Sequence, residues 1–551
     1  MKGRFFFLVG ITVSTLAFGQ QTVTDKPKLV VGVVVDQMRQ EYLYRFYSKF
    51  GERGFKRFMN DGFMLTNVHY NYIPTFTGPG HSSIFTGTTP AVHGIIGNEF
   101  YDKITKKMVN CVEDKRYASV GIKDANGANS PARLLSTTIT DELKLSTQKK
   151  AKVIGISFKD RGAILPAGHM ANAAYWYNGN TGKFISSSYY MSKLPDWLDK
   201  FNKLALPDKY LSQVWNTLLP IEQYKESGPD DSPYEVKFNG KDKSSFPYDL
   251  KELRKKNGEY NLLSSTPFAC DYLTEMAKAA IDGEQLGKDE WTDFLTVSYS
   301  TPDIVGHATG PNAVEIEDIY IRLDRNIEDL LTKLDKTIGE ENYTIFLTAD
   351  HGVAEVPQYL QDNHVPAGYF NADTTEAKLK VFLQRYFPGK NIVENFSNFQ
   401  IFLNQDAFSE NPKSSGVDML IATELINNFL MSLEGVADVY TERSIRQGSF
   451  SEAGTKGMVI RGYNVKRSGD ISYVLEPGWI WKEWGKSQGS THGSPYSYDT
   501  SVPALFYGFG IRKGTSVRYH PITDIAPTMS ILLKTKFPNG CTGQPIEEVL
   551  K

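Results

Sequence analysis

Cysteine is nearly missing from this chain. There are three in 551 residues, Cys111, Cys270 and Cys541, far apart and without Cys-x-x-Cys spacing. So sparse and odd a set excludes a disulfide scaffold and a thiolate zinc site, leaving room for one disulfide at most. Net charge is almost absent too, at −2, so the chain has no basic field to hold nucleic acid or an anionic lipid surface. Internal repeats and low-complexity tracts are lacking. Beyond the N-terminus no apolar run is long enough to span a bilayer, and a mean hydropathy of −0.35 with 23% charged residues describes a soluble globular protein. Aromatic residues are plentiful, at 13% with 30 tyrosines; ordinary amphipathic packing accounts for them before a carbohydrate-contacting surface does.

The N-terminus reads as an export signal. Met1-Lys2-Gly3-Arg4 is a positive n-region, Phe5 to Leu16 an apolar segment, and Ala17-Phe18-Gly19 a small-x-small cleavage pattern. Residues 1–19 are therefore expected to be a signal peptide cut near Gly19-Gln20, which places the mature protein in the periplasm or outside the cell.

A chain of this length exceeds what one hydrophobic core fills, so a large domain with insertions or two domains is expected. Leu29 to Val35 is a continuous, largely β-branched run, the pattern of a strand buried on both faces. Lys152 to Ile156, Phe294 to Tyr299, Thr344 to Thr348 and Val502 to Tyr507 are further strands. Between them the clearest helix is Ala313 to Ile338, where Ile316, Ile319, Leu323, Ile327, Leu330, Leu331 and Leu334 recur at helical spacing. This alternation predicts an α/β fold with a central, mostly parallel sheet and helices on both faces. The catalytic core is expected in two parts, 25–370 and 476–551. About 177–265, rich in Tyr, Trp, Pro, Asn and Lys, is expected to be a capping insertion. Residues 371–475 are expected to form an α+β insertion subdomain from helices at 377–385 and 419–433 and strands at 399–403 and 436–440.

Candidate ligands cluster at strand ends and turns. Asp36 ends the first strand, Asp350-His351-Gly352 follows another, Asp303 and His307 stand four apart on one side of a helical turn, and His492 lies in Thr491-His492-Gly493. One such Asp is usually a helix cap and one such His a satisfied core residue. Together they point to a site for two metal ions, and Asp with neutral His suits zinc. The nucleophile candidate is Thr77, in Pro74-Thr75-Phe76-Thr77-Gly78-Pro79-Gly80-His81, where the turn is expected to lead into a helix beginning near His81. A hydroxyl at a helix N-terminus beside a metal can attack phosphorus or sulfur. Thr75, Ser82 and Ser83 remain open alternatives, and Thr77 as a mere helix cap is another.

The motifs occur in one order: Thr77-Gly-Pro-Gly-His81, His93-Gly94-Ile95-Ile96-Gly97-Asn98, Phe158-Lys159-Asp160-Arg161 with Ile164-Leu165-Pro166-Ala167-Gly168-His169, Asp303-x-x-Gly-His307, Ala349-Asp350-His351-Gly352 and Thr491-His492-Gly493. From about Lys28 to the C-terminus the chain resembles the alkaline phosphatase superfamily. It is most similar to the phosphate-irrepressible, threonine-nucleophile alkaline phosphatases of the PafA type. The resemblance implies two Zn2+ ions, one held by Asp303, His307 and His492, the other by Asp36, Asp350 and His351 with Thr77 as exchangeable ligand and nucleophile. It further implies that Asn98, Lys159 and Arg161 bind the phosphoryl oxygens. The activity implied is hydrolysis of small phosphate monoesters through a phosphothreonine. The Gly-Pro-Gly after Thr77 has no sequence-level explanation, and His81, His93 and His169 are assigned no metal role.

Three readings compete. A phosphodiesterase or nucleotide pyrophosphatase of the same superfamily would share the metals, Thr77 and Asn98 but should lack the Lys159-x-Arg161 pair, which rewards the extra charge of a monoester. A sulfatase needs a convertible Cys or Ser before an Arg, and the Thr77 segment has neither. A non-catalytic periplasmic binding protein would leave the candidate nucleophile without a role.

Overall fold

A computed structural model describes residues 25–408, 418–482 and 488–551. The expected signal peptide, residues 1–19, lies outside the described residues. Eight strands carry the central sheet: β1 (Leu29–Val35), β2 (Phe63–His69), β3 (Val153–Ser157), β4 (Ala173–Asn178), β5 (Lys183–Ser187), β6 (Asp293–Tyr299), β7 (Tyr343–Thr348) and β8 (Ser501–Gly508). Their spatial order is β2-β8-β7-β1-β6-β3-β4-β5, and short edge strands at Gly514–Ser516 and Ser119–Val120 extend the two ends. The five strands β7, β1, β6, β3 and β4 run parallel, whereas β8 pairs antiparallel with both β7 and β2, and β5 antiparallel with β4.

All seven residues of β1 are buried. A strand with side chains alternating to both faces can be wholly buried only if both faces are covered. Gly32 at its middle is required by close packing, since a Cβ there would lie 2.7 Å from the Phe346 ring. Four helices bear on the site: α1 (Thr77–Thr86), α2 (Asp160–Ala167), α3 (Thr301–Thr309) and α4 (Val314–Thr337). Ile316, Ile319, Leu323, Ile327, Leu330, Leu331 and Leu334 of α4 are at most 2% exposed and join the main core. Each such side chain contributes roughly 1.5–3 kcal/mol by leaving water. Among the described residues no helix is long and apolar enough to cross a membrane.

Two places differ from the sequence reading. β4 and β5 belong to the main sheet, so the stretch from about 177, which reads as a capping insertion, begins inside the sheet. Its Tyr, Trp and Asn content masks the alternation because Ala173–Asn178 is buried throughout. Helix α1 starts at Thr77 and not near His81, because Pro79 is tolerated in a first turn, where its missing N–H has no intrahelical role. Between 368 and 481 a second core forms around Leu379, Leu383, Ile401, Ile426, Leu430 and Tyr473. It packs helices Ala372–Gln384 and Met419–Met431 with a four-stranded antiparallel sheet in the order Val393–Ser397, Gln400–Leu403, Ile471–Leu475, Val436–Thr441.

Candidate active site

The parallel strands β7, β1, β6 and β3 end level with one another: Val34 pairs with Thr348, Val35 with Tyr299, and Ser298 with Ser157. Just beyond those ends stand Asp350 and His351 after β7, Asp36 after β1, Asp303 in the first turn of α3 after β6, and Lys159 after β3. Crevices beyond the carboxyl ends of parallel strands are where ligands of open α/β sheets gather. Helix α3 places Asp303 and His307 one turn apart, and Gly310, at φ +77°, ends it.

Two groups of potential metal ligands result, Asp303 with His307 and His492, and Asp36 with Asp350 and His351; within each, ligand atoms lie within 4.8 Å of one another. His307 Nε2 is 3.2 Å and His492 Nε2 3.5 Å from Asp303 Oδ1, and His351 Nε2 is 3.5 Å from Asp36 Oδ1 and 3.6 Å from Asp350 Oδ2. The groups adjoin, with the His351 and His492 rings stacked at 3.4 Å.

The tautomers fit a metal. Nδ1 of His307 faces Ser490 O at 2.9 Å, that of His351 faces Gly352 O at 2.9 Å, and that of His492 faces Thr75 O at 2.6 Å. A carbonyl only accepts, so each Nδ1 carries the proton and each Nε2 presents its lone pair toward the carboxylates, the arrangement that outer partners impose on metal-binding histidines. Asp36 Oδ1, Asp350 Oδ2 and His351 Nε2 are buried without a hydrogen-bond partner among the described residues. Burial pushes His351 down to about 3 and keeps it neutral. Burial, then the charges of Asp303 and Asp350, raise Asp36 well above the usual carboxylate range. Against their burial, Asp303 is drawn far down chiefly by His307 and Lys159, and Asp350 down by His351 and His81. Three carboxylates in so dry a space call for cations. The donor set fits divalent metal.

Lys159 Nζ reaches between the groups, 2.7 Å from Asp36 Oδ2, 2.5 Å from Asp303 Oδ2 and 3.5 Å from Thr77 Oγ1. Thr77 opens α1 and does not cap it: Phe76 is the N-cap residue and no side chain caps there. The rival hydroxyls are otherwise engaged. Thr75 Oγ1 donates to Ser494 O at 3.2 Å, Ser82 Oγ to Gly78 O at 2.8 Å, and Ser83 Oγ bonds Tyr72 and His93 at 2.9 and 3.0 Å. Asn98 is brought to the same helix end, its Oδ1 accepting Gly78 N–H at 2.7 Å, which turns its amide NH2 away from that bond. Arg161 follows Lys159 in α2. Its Nε is buried without a partner among the described residues, and its guanidinium stays 3.8 Å from Asp160.

The Gly-Pro-Gly run has a physical reason. A Cβ on Gly80 would lie 2.3 Å from Asp350 O, and one on Gly78 3.2 Å from Cys111 Sγ and 3.3 Å from Asn98 Oδ1. Only glycine lets α1 approach the β7 turn this closely. Gly80→Ala is accordingly expected to displace Asp350 and lower both bound metal and activity, by elemental analysis and rate assay, while Gly78→Ala has only contacts of a few tenths of an ångström to relieve.

Sequence reasoning missed two supporting residues. Gln37, held at φ +66°, donates from Nε2 to Asp303 Oδ1 at 2.7 Å and from its backbone N–H to Asp350 Oδ1 at 3.1 Å, so it joins the two groups. Its position directly after Asp36 was the only signal. His81, one turn into α1, lies 3.2 Å from Asp350 Oδ2 and 2.8 Å from Ser298 Oγ.

Residues 30–495 match the type I phosphodiesterase / nucleotide pyrophosphatase family. Three curated relatives align over nearly their whole length. A protein named calcium-transporting ATPase from Myroides odoratus is 45% identical over 96% of this chain and 95% of its own. Alkaline phosphatase PafA of Elizabethkingia meningoseptica is 43% identical over 99% and 98%. Alkaline phosphatase PhoV of Synechococcus elongatus is 44% identical over 96% and 94%. The crystal structure of wild-type PafA superposes with a TM-score of 0.91 at 43% identity, covering 96% of this chain and 99% of the other. The chain therefore belongs to the type I phosphodiesterase / nucleotide pyrophosphatase family, within the alkaline phosphatase superfamily.

Proposed function

We propose that this protein is an alkaline phosphatase that hydrolyses phosphate monoesters to an alcohol and inorganic phosphate through a phosphothreonine at Thr77. The observation that carries the reading is the Thr77 hydroxyl at a helix N-terminus, held among the described residues only by one long contact to Lys159, beside two adjoining Asp/His groups. Asp303, His307 and His492 would hold one Zn2+, and Asp36, Asp350 and His351 the other. Bound there, zinc supplies Lewis acidity, lowering the pKa of a hydroxyl and stabilising developing oxyanions.

The chain's own groups do the positioning. Thr77 Oγ gives up its proton to water and attacks phosphorus in line with the leaving oxygen. The P–O bond to the alcohol breaks, the departing oxygen takes up a proton from water to leave as the alcohol, and the phosphoryl group remains on Thr77. Water then attacks phosphorus, the Thr77 O–P bond breaks, a proton of that water passes to the Thr77 oxygen, and inorganic phosphate leaves. Phosphoryl transfer needs orientation and charge stabilisation above all. Asn98 NH2, the Lys159 ammonium and the Arg161 donor fork are suited to non-bridging oxygens.

The pair Lys159 and Arg161 separates monoesterase from diesterase, because a monoester carries an extra negative charge. A charge-assisted hydrogen bond is worth about 1.5–3 kcal/mol, so Lys159→Ala or Arg161→Ala should each lower monoester kcat/KM about 10- to 100-fold and diester kcat/KM less. The measurement is the ratio of kcat/KM for a monoester and a diester with the same leaving group, on protein of known zinc content. A wild type that prefers the diester, or equal fractional losses in the variants, would return the phosphodiesterase reading.

The N-terminal pattern supports export to the periplasm or beyond. The mature chain is expected to begin near Gln20, which the intact mass of exported protein checks; a mature species that keeps Phe5 to Leu16 overturns it.

A further inference from the structure

Away from the candidate active site, a second buried acidic pair stands without compensation. Glu235, in the loop between Tyr224 and Tyr248, and Glu315, in the first turn of α4, are each 2% exposed. Each has an Oε2 that is buried with no hydrogen-bond partner among the described residues. The remaining contacts hold the carboxylates in place without neutralising them. Tyr248 OH donates to Glu315 Oε1, and the Ser232 and Ser244 hydroxyls bond Glu235.

The other ionisable groups facing the pair are Asp230, Asp318, Tyr248 and Lys241. Asp318 is already paired with Arg322 at 2.7 Å. Lys241 is committed to other partners. Its Nζ donates to Pro247 O at 2.8 Å and to Ser245 O, and sits 4.1 Å above the Tyr248 ring, with no ion pair to these acids among the described residues. Fully ionised, Glu235, Glu315 and Asp230 would carry three negative charges against one ammonium, an excess of two. Buried charge is tolerated when it is paired or coordinates a metal, or else it is protonated.

We propose that Glu235 and Glu315 form the core of a binding site for one hard divalent cation, of which Ca2+ is the type. The two orphan oxygens supply its first ligands and the charge excess is what such an ion balances. Among the described residues the donors at hand are all oxygen, with no histidine or cysteine, which disfavours zinc and favours calcium or magnesium. Ca2+ tolerates irregular oxygen cages, whereas Mg2+ keeps several waters in strict octahedra, and so dry a pair suits the former. Burial and the Glu315 charge push Glu235 up to about 10, and burial pushes Glu315 up to about 7, so cation binding here displaces protons.

The site has a structural consequence. The segment carrying Glu235 is laced to the end of α3 and to the His492 loop: Val236 N–H donates to Ala308 O at 2.8 Å, Gly489 N–H to Tyr234 O at 2.9 Å, and Ser490 N–H to His307 O at 2.9 Å. A cation joining Glu235 to Glu315 clamps this loop across the turn that follows His307.

The test uses the full-length, zinc-replete protein. Calorimetric titration with Ca2+ should show one saturable site per chain, and the thermal midpoint should rise with Ca2+ and level off. Tb3+ bound there should emit on excitation of Trp215, whose ring lies 5.2 Å from that of Tyr248, and Ca2+ should displace it. In Glu235→Gln/Glu315→Gln all three responses should be lost with zinc content unchanged. The same Ca2+ response in that variant overturns the proposal, as does wild-type protein that binds no Ca2+. Should the double variant fail to fold, the wild-type titration and Glu235→Gln alone decide. A variant more stable than an unresponsive wild type would assign the pair to a shared proton and would also overturn it.

Discussion

Thr77→Ala is expected to lower kcat/KM for an aryl phosphate monoester by at least about 10^3-fold, because the nucleophile of a covalent mechanism has no substitute nearby. The nearest candidates are committed: Ser82 and Ser83 bond within the α1 region at 2.8–3.0 Å, and Thr75 bonds Ser494 O. Thr77→Ser keeps the hydroxyl and should keep much of the rate. Thr77 itself is 1% exposed and among the described residues its hydroxyl makes one long contact, to Lys159, so the alanine variant should lose little stability. Steady-state kinetics with a thermal melt checks both. An alanine variant that turns over normally would move the nucleophile to Thr75, Ser82 or Ser83. Acid-quenched wild type should carry phosphate on Thr77 and the alanine variant none.

What could be read in advance follows from where the information lies. A strand such as Leu29–Val35 announces itself locally, since buried parallel strands are continuous apolar runs, and the Asp or Asp-His after each run marks its carboxyl end. Those local signals, aligned by parallel registry, place Asp36, Lys159, Asp303 and Asp350 around one crevice. The sheet's edges were harder. β4 and β5 lie in an aromatic and polar stretch whose burial comes from distant partners, and β8 runs antiparallel beside β7, a direction no local pattern encodes. Gln37 illustrates the same limit within the site. Its amide meets Asp303, 266 positions away, through a left-handed backbone that a glutamine seldom adopts. The Gly-Pro-Gly run became intelligible only once Asp350 O was seen against Gly80.

Stripping metal from the protein with a chelator is expected to abolish hydrolysis, and added zinc to restore it. The reasoning starts from charge. Asp36, Asp303 and Asp350 are at most 3% exposed, and among the described residues Lys159 is the ammonium that pairs with them, so without divalent ions the crevice holds unbalanced buried charge, a costly state. Ligands that bind only the folded state stabilise it by mass action, about 4 kcal/mol at a thousandfold excess over Kd, so the thermal midpoint should fall on stripping. His307→Ala and His492→Ala each remove one Nε2 from the Asp303 group and should reduce bound zinc together with rate. His351→Ala should do the same for the Asp36 group. The stacked His351 and His492 rings, 3.4 Å apart, make the groups mutually dependent, so loss in one should weaken zinc in the other, seen as more than one equivalent lost by elemental analysis. Full activity in protein shown to be metal-free would end the two-metal reading, because it would leave Lys159, Arg161 and Asn98 to do all the charge stabilisation.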